Sequence, residues 1–223
     1  MVTSPATEPF AANGGLQLCN PCGDRLYVDP LRLILTHGDL AANPGGGLRL
    51  DLSTDLGRSW TGIQLDLPAR SYDSDWIVPA PLTFFDDHQG LLPVQMQDPS
   101  ASGPDTASLV LYLTSDGGRT WRSGSTVLKG VNLFDTVDAV SPLDVFIACG
   151  GDLCATHDGG QTWVVLHSGL SFVAADTGEP VTQFDFVNPS TGWALAGKAG
   201  SSSLYETQDG GASWTKLPAV LLP

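Results

Sequence analysis

One octamer occurs four times in the 223-residue chain, and it constrains the fold more than any other feature. The copies are Ser53-Thr54-Asp55-Leu56-Gly57-Arg58-Ser59-Trp60, Thr114-Ser115-Asp116-Gly117-Gly118-Arg119-Thr120-Trp121, Thr156-His157-Asp158-Gly159-Gly160-Gln161-Thr162-Trp163 and Thr207-Gln208-Asp209-Gly210-Gly211-Ala212-Ser213-Trp214. Their aspartates step by 61, 42 and 51 residues, and four of the six tryptophans close a copy. Short apolar-alternating runs flank each copy, such as Leu48 to Leu52 before the first and Gly62 to Leu67 after it. Alternation around Asp-Gly-Gly is a hairpin signal. The aspartate can accept from backbone N–H groups across the turn, and glycine can take a positive φ. The closing tryptophan is then free to pack on a neighbouring unit. Asp55, Gly57, Trp60, Asp116, Gly118, Trp121, Asp158, Gly160, Trp163, Asp209, Gly211 and Trp214 are therefore read as structural.

A second pair of strands precedes the later hairpins. Leu82 to Val94, Leu133 to Gly150 and Phe184 to Gly197 each read strand, polar turn, strand. Each repeat is then a four-stranded antiparallel unit of about 50 residues, and units of that kind set side by side are propeller blades. The fold class is all-β, with blades at about 25–67, 82–128, 132–167 and 182–217. Residues 1–24 are left as an N-terminal segment or a stray strand (Leu16 to Cys19).

Composition agrees. Gly and Pro supply 42 residues without a triplet period, so turns are many and long helices are not expected. The acids comprise 21 Asp and only three Glu, a ratio that favours loops over helices. The net charge of −14 repels phosphate backbones and anionic lipid, which argues against nucleic-acid and peripheral membrane binding. No apolar run reaches the length of a membrane span.

The octamer is the Asp-box, and by it the chain resembles the BNR-repeat β-propellers of the sialidase-like superfamily. The segment from Leu204 to Trp214 is most similar to photosystem II assembly factor-type propellers and their bacterial relatives. The resemblance covers roughly Arg25 to Leu217 and is strong for fold, weak for function. Family propellers usually have six or more blades, so four blades mean either a small closed ring of four or five or, the favoured reading, a fragment or trimmed part of a larger one.

Calling the strands of a blade A to D from the axis outward puts the A–B turns and the boxes at one end. The B–C and D–A connections lie at the other. Asp86-Asp87-His88 falls in an A–B turn and reads as solvated. The longer irregular segments fall at the opposite end, and there Tyr72, Asp73, Asp75 and Trp76 form the most site-like stretch. Two carboxylates between two aromatics could hold a sugar or a cation, though a plain loop anchored by Trp76 is the simpler reading.

The resemblance implies three clamping arginines, a Tyr–Glu nucleophile pair and an Asp acid/base for a sialidase. The seven arginines are Arg25, Arg32, Arg49, Arg58, Arg70, Arg119 and Arg122, and none lies in the last two blades. The nearest match to the family's Arg-Ile-Pro signature is Leu31-Arg32-Leu33, and Tyr205 and Glu206 are adjacent in a strand, pointing to opposite faces. A sialidase is not expected. A xyloglucanase-type hydrolase needs only two carboxylates and stays open as the alternative. No catalytic residue, cofactor or metal is assigned. The four histidines are dispersed, and Asn43-Pro44-Gly45-Gly46-Gly47 lacks the following Lys of a phosphate loop.

The four cysteines form two local pairs, Cys19 with Cys22 and Cys149 with Cys154. Two local disulfides are the favoured reading. A four-cysteine zinc site would need blades one and three to meet, and reduced thiols are the third alternative. Disulfides imply an extracytoplasmic home, although Met1 to Ala12 has neither the basic nor the apolar region of an export signal. The expected function is a non-catalytic binding or assembly propeller. Its partner is then a protein, a basic one given the acidic surface, or a carbohydrate.

Overall fold

The computed structural model describes residues 24–37, 48–67, 76–97, 106–124, 127–132, 136–172, 180–198 and 201–218. They form four antiparallel sheets in chain order. The first holds β1 (Arg25–Val28), β2 (Leu33–His37), β3 (Leu48–Ser53) and β4 (Thr61–Leu65). The second holds β5 (Trp76–Pro79), β6 (Thr83–Phe84), β7 (Gly90–Gln97), β8 (Ala107–Thr114), β9 (Arg122–Ser123) and β10 (Leu128–Val131). The third holds β11 (Val137–Ala139), β12 (Val145–Cys149), β13 (Asp152–Thr156) and β14 (Val164–Leu166). The fourth holds β15 (Val181–Phe186), β16 (Gly192–Lys198), β17 (Ser201–Thr207) and β18 (Thr215–Lys216). Sheets one, three and four are simple four-strand meanders; in the second, β5 and β6 both pair with β7, and β9 and β10 both pair with β8. The second is thus a four-stranded blade whose first and last strands are each broken in two.

Proline causes the first break. Pro79 and Pro81 bracket the gap between β5 and β6. Pro93, inside the central strand β7, lies opposite that gap: its neighbours Val94 and Leu91 pair with Pro79 and Thr83. A proline has no N–H to give a ladder, and here the partner strand is interrupted where one would be wanted. The amide of Ala80 still donates to Pro93 O at 2.8 Å.

Every box shares one set of hydroxyl and aspartate bonds. The first hydroxyl donates to the aspartate Oδ1: Ser53 to Asp55 and Thr114 to Asp116 at 2.9 Å, Thr156 to Asp158 and Thr207 to Asp209 at 2.8 Å. The same hydroxyl oxygen accepts from the amide of Gly57, Gly118, Gly160 or Gly211. Oδ1 then takes the amide of Ser59, Thr120, Thr162 or Ser213, and Oδ2 takes that residue's hydroxyl at 2.6–2.7 Å. Hydrogen bonds to an ionised carboxylate favour its charge. The Ser59 and Thr162 hydroxyls, backed by their amides, hold Asp55 and Asp158 down at about 2. Asp209 is lowered by the Ser213 hydroxyl first; at Asp116 burial pushes upward and the bonds from Thr120 outweigh it.

The A–B turn of a blade locks onto its own box. Gly117, Gly159 and Gly210 donate their amides to His88 O, Leu143 O and Ser190 O at 2.8–3.0 Å. In the first box Leu56 replaces this glycine and keeps a left-handed φ of 62°, with its side chain 77% exposed.

Three clusters of buried side chains lie between successive sheets. Ile34, Leu50 and Leu52 of sheet one meet Leu92, Val94, Val110 and Tyr112 of sheet two. Leu91, Leu109 and Leu111 meet Val145, Ile147 and Cys154. Phe146, Leu153 and Ala155 meet Phe184, Phe186 and Ala194. Each fully buried leucine or phenylalanine contributes about 1.5–3 kcal/mol, so the stack is held by these interfaces. Trp121, Trp163 and Trp214 each pack into the cluster shared with the preceding sheet. Among the described residues, no such cluster joins sheet four to sheet one.

Candidate functional site

The first strands of successive sheets touch one another. The Arg25 guanidinium Nε donates to Pro79 O at 2.7 Å, linking β1 to β5. The amide of Phe186 donates to Asp138 Oδ2 at 2.6 Å, linking β11 to β15. Each of these two junctions between first strands holds a candidate feature.

The first is a cleft of about 140 Å³ between sheets one and two, lined by Arg25, Leu26, Tyr27, Thr36, Pro81 and Leu82. The Tyr27 hydroxyl donates to Asp29 Oδ2 at 3.1 Å, and burial, helped by that bond, raises its pKa. The second is a carboxylate pair, Asp138 on β11 and Asp185 on β15. Burial pushes Asp138 up to about 6 against the lowering effect of the Phe186 amide, and the charge of Asp185 adds to the rise. Asp185 is exposed. A carboxylate raised by burial, beside a second one open to solvent, is the kind of pair from which acid/base chemistry is built.

Tyr72, Asp73 and Asp75 lie outside the described residues. Trp76 is half-buried and opens β5, paired with Gln97 at the end of the sheet away from the boxes. The D–A connection that leads toward this stretch is anchored by Tyr112, whose hydroxyl donates to Asp66 O at 2.8 Å; burial pushes its pKa up to about 12.

The described arginines do not converge. Arg32, nearest to the sialidase signature, is 3% exposed and sits at the box end of the stack. Its Nη2 donates to Asp87 O at 2.8 Å, its Nε faces Asp29 Oδ2 at 3.0 Å, and its guanidinium lies 4.1 Å over the Phe84 ring. It is a strut between the A–B turns of sheets one and two. Arg49 pairs with Asp51 at 2.8 Å, and Arg119 donates to Asp116 O. Arg70 lies outside the described residues.

Several other described carboxylates are occupied. Asp86 Oδ1 accepts the amides of His88 and Gln89, and those two bonds lower its pKa. Asp51, nearly fully buried, accepts from His37 Nε2 at 2.8 Å, with Asp24 3.7 Å from His37 Nδ1. Asp144 and Asp152 lie 2.7 and 2.8 Å from His157 and His167. Among the described residues no group of three or more His, Cys, Asp or Glu side chains is arranged to hold a metal ion. No helix there is long and apolar enough to cross a membrane.

Cys149 and Cys154 are joined as a disulfide, with Cα atoms 5.8 Å apart. They sit diagonally in the β12–β13 hairpin, since Cys149 pairs with Asp152 and Cys154 with Ile147. Cys19 and Cys22 lie outside the described residues, as does the expected strand from Leu16.

No protein-family model matches the chain. A xyloglucanase from a Paenibacillus species is 28% identical over 242 residues, an alignment that takes in 95% of this chain and 22% of the relative. The chain thus spans about a fifth of that protein's length. Among solved structures, YCF48 bound to D1 peptide is 21% identical with a TM-score of 0.39, over 68% of this chain and 46% of that one. A mutant Trypanosoma rangeli sialidase is 12% identical, TM-score 0.47, over 87% and 37%. The α-L-arabinanase of Penicillium chrysogenum is 14% identical, TM-score 0.43, over 87% and 64%. Four boxes with the same hydroxyl–aspartate bonds, each closing a four-stranded antiparallel blade stacked on the last, give this chain the fold of an Asp-box β-propeller or part of one.

Proposed function

We propose that the chain is a non-catalytic binding propeller that works outside the cytoplasm. The observation that carries this reading is the state of its carboxylates. The box aspartates, Asp29, Asp51, Asp86, Asp144 and Asp152 are each held by the protein's own donors. Such groups shape a fold and an acidic field rather than transfer protons. The ligand is then a protein presenting basic residues, or a glycan, met at the end away from the boxes. Tyr72, Asp73, Asp75 and Trp76 are its proposed contacts. The buried disulfide between Cys149 and Cys154 supports the extracytoplasmic setting.

A second reading rests on one pair. Asp138, held near 6, and the exposed Asp185 would serve as acid and base of a glycoside hydrolase. The likeness to a xyloglucanase favours it.

One experiment separates the two. Xyloglucan and a lysine-rich peptide are titrated calorimetrically into the chain, and xyloglucan is assayed for released reducing ends. Binding that weakens in Trp76→Ala, without release, supports the binding propeller. Release that is lost in Asp138→Asn or Asp185→Asn supports the hydrolase. Neither binding nor release sinks both readings for these probes.

A further inference from the structure

Three residues before each box stands a leucine: Leu50, Leu111, Leu153 and Leu204. The first three are fully buried against the following sheet. Two of them press on the next sheet's box: a Cβ on Gly160 would lie 3.1 Å from Leu111 Cδ1, and one on Gly211 2.6 Å from Leu153 Cδ2. Beside each leucine, on the second strand of the same face, stand Ile34, Leu91 and Phe146, also fully buried. The fourth sheet repeats this face with Leu204 and Trp193, yet Leu204 is 43% exposed.

The first sheet carries the complementary half. Phe84, Ala139 and Phe186, in register with Gly90, Val145 and Gly192, pack back on the preceding sheet. Phe186 stacks on Phe146 with ring centroids 3.7 Å apart. The equivalent in the first sheet is Val28, in register with Leu33 and 62% exposed. Among the described residues, its box glycine, Gly57, has only Leu33 and Trp60 of its own sheet within reach of a Cβ. The chain therefore presents both halves of one interface that it already makes three times internally.

We propose that a second copy of the chain completes it: sheet four of one copy docks on sheet one of the other, Leu204 meeting Gly57 and Trp193 meeting Val28. The reciprocal contact closes two copies into one ring of eight blades. Head-to-tail contacts of this kind form rings when the rotation closes, and eight lies within the range of known propellers. Charge shapes the contact too. Glu206 stands one residue before the fourth box, where the other sheets have Leu52, Leu113 and Ala155, and Arg58 follows Gly57 in the box it would face. With −14 on each copy, mutual repulsion opposes closure and added salt favours it.

Sedimentation equilibrium of the full chain, over a wide concentration range and at low and high salt, tests this. The expected mass is twice that of one chain, with tighter association at high salt. Leu204→Asp and Val28→Asp should each weaken association at least roughly tenfold, because each sets a carboxylate in an apolar contact. Thermal melts of both variants at monomeric concentrations should match that of the parent, since both side chains are exposed in the single chain. An equimolar mixture of the two variants keeps one undisturbed contact and should associate more tightly than either alone. A monomer under all conditions overturns the proposal, as does a mass that grows past two copies. Loss of association from Val28→Asp alone, with Leu204→Asp unaffected, would mean like faces meeting and overturns it equally.

Discussion

The amide of Phe186 and the carboxylate of Asp138 are 2.6 Å apart, and this bond joins the first strands of the third and fourth blades. It holds an aspartate where water is scarce. Burial lifts Asp138 to about 6, so the folded state prefers its protonated form.

The sign of the linkage follows. A group raised on folding lends stability that is complete below its unfolded value, near 3.8, and is lost as pH climbs through about 6. Asp138→Asn keeps an acceptor for Phe186 and removes the buried charge. It should stabilise the protein at pH 7 by about 1 kcal/mol, a figure reduced for partial exposure. Urea melts at pH 4 and pH 7 check this: the gain should vanish at pH 4, and a gain equal at both pH values refutes the assignment.

The boxes titrate the other way. Their aspartates are lowered, to about 2 for Asp55 and Asp158, so their contribution is present above the unfolded value of 3.8 and lost as pH falls toward 2. The melting temperature should drop steeply between pH 4 and pH 2. Asp55→Asn with Asp158→Asn should flatten that drop while lowering the melting temperature at pH 7.

Leu56 is the misfit of the first box. A non-glycine residue in the left-handed region costs about 1–2 kcal/mol, and this side chain is exposed. Leu56→Gly should raise stability by about 1 kcal/mol in urea denaturation. A loss on this substitution would show that the leucine side chain has a contact worth more than the strain.

Gly57 and Gly211 share a positive φ but differ in surroundings. Alanine at Gly211 would set its Cβ 2.6 Å from Leu153 Cδ2, whereas at Gly57 the nearest atom is 3.4 Å away. Gly211→Ala should therefore destabilise the single chain by roughly 1–3 kcal/mol more than Gly57→Ala. Parallel denaturation of the two variants at monomeric concentrations reads the difference directly.

The hairpin tip closed by Cys149 and Cys154 is also bonded on both flanks, by Gly150 N to Gly130 O and by Phe172 N to Gly151 O. The double replacement Cys149→Ser, Cys154→Ser should cost about 2 kcal/mol, as expected for a short loop, and leave the fold in place. Loss of the near-ultraviolet circular dichroism of the variant would contradict that.

Fold was legible because it is written locally. An Asp-x-Gly turn, a hydroxyl on either side and a closing tryptophan lie within eight residues, and all four copies form the same hydroxyl–aspartate bonds. What sequence concealed is what depends on distant partners. The expectation of a second blade beginning at Leu82 overlooked β5, because Pro79 and Pro81 look like a loop until Pro93 is seen opposite them. Sequence offers Arg32 only as the nearest match to an absent arginine signature; its burial under Phe84 and its bond to Asp87 O need the second blade in place. Asp138 carried no motif, since its shift arises from burial, which exists only once the chain is folded. The stretch around Tyr72 drew attention through composition alone, and composition does not fix where side chains point.

The bond from the first box glycine to its own A–B turn makes the lower end of a blade self-contained in sheets two to four. Contacts with the next blade at that end are added by Arg32, Leu111 and Leu153. A unit copied or deleted whole would carry its own closure with it and need only a leucine and a glycine to recognise its neighbours. Chains of this type can therefore grow or shrink by whole blades during evolution without redesign of the survivors.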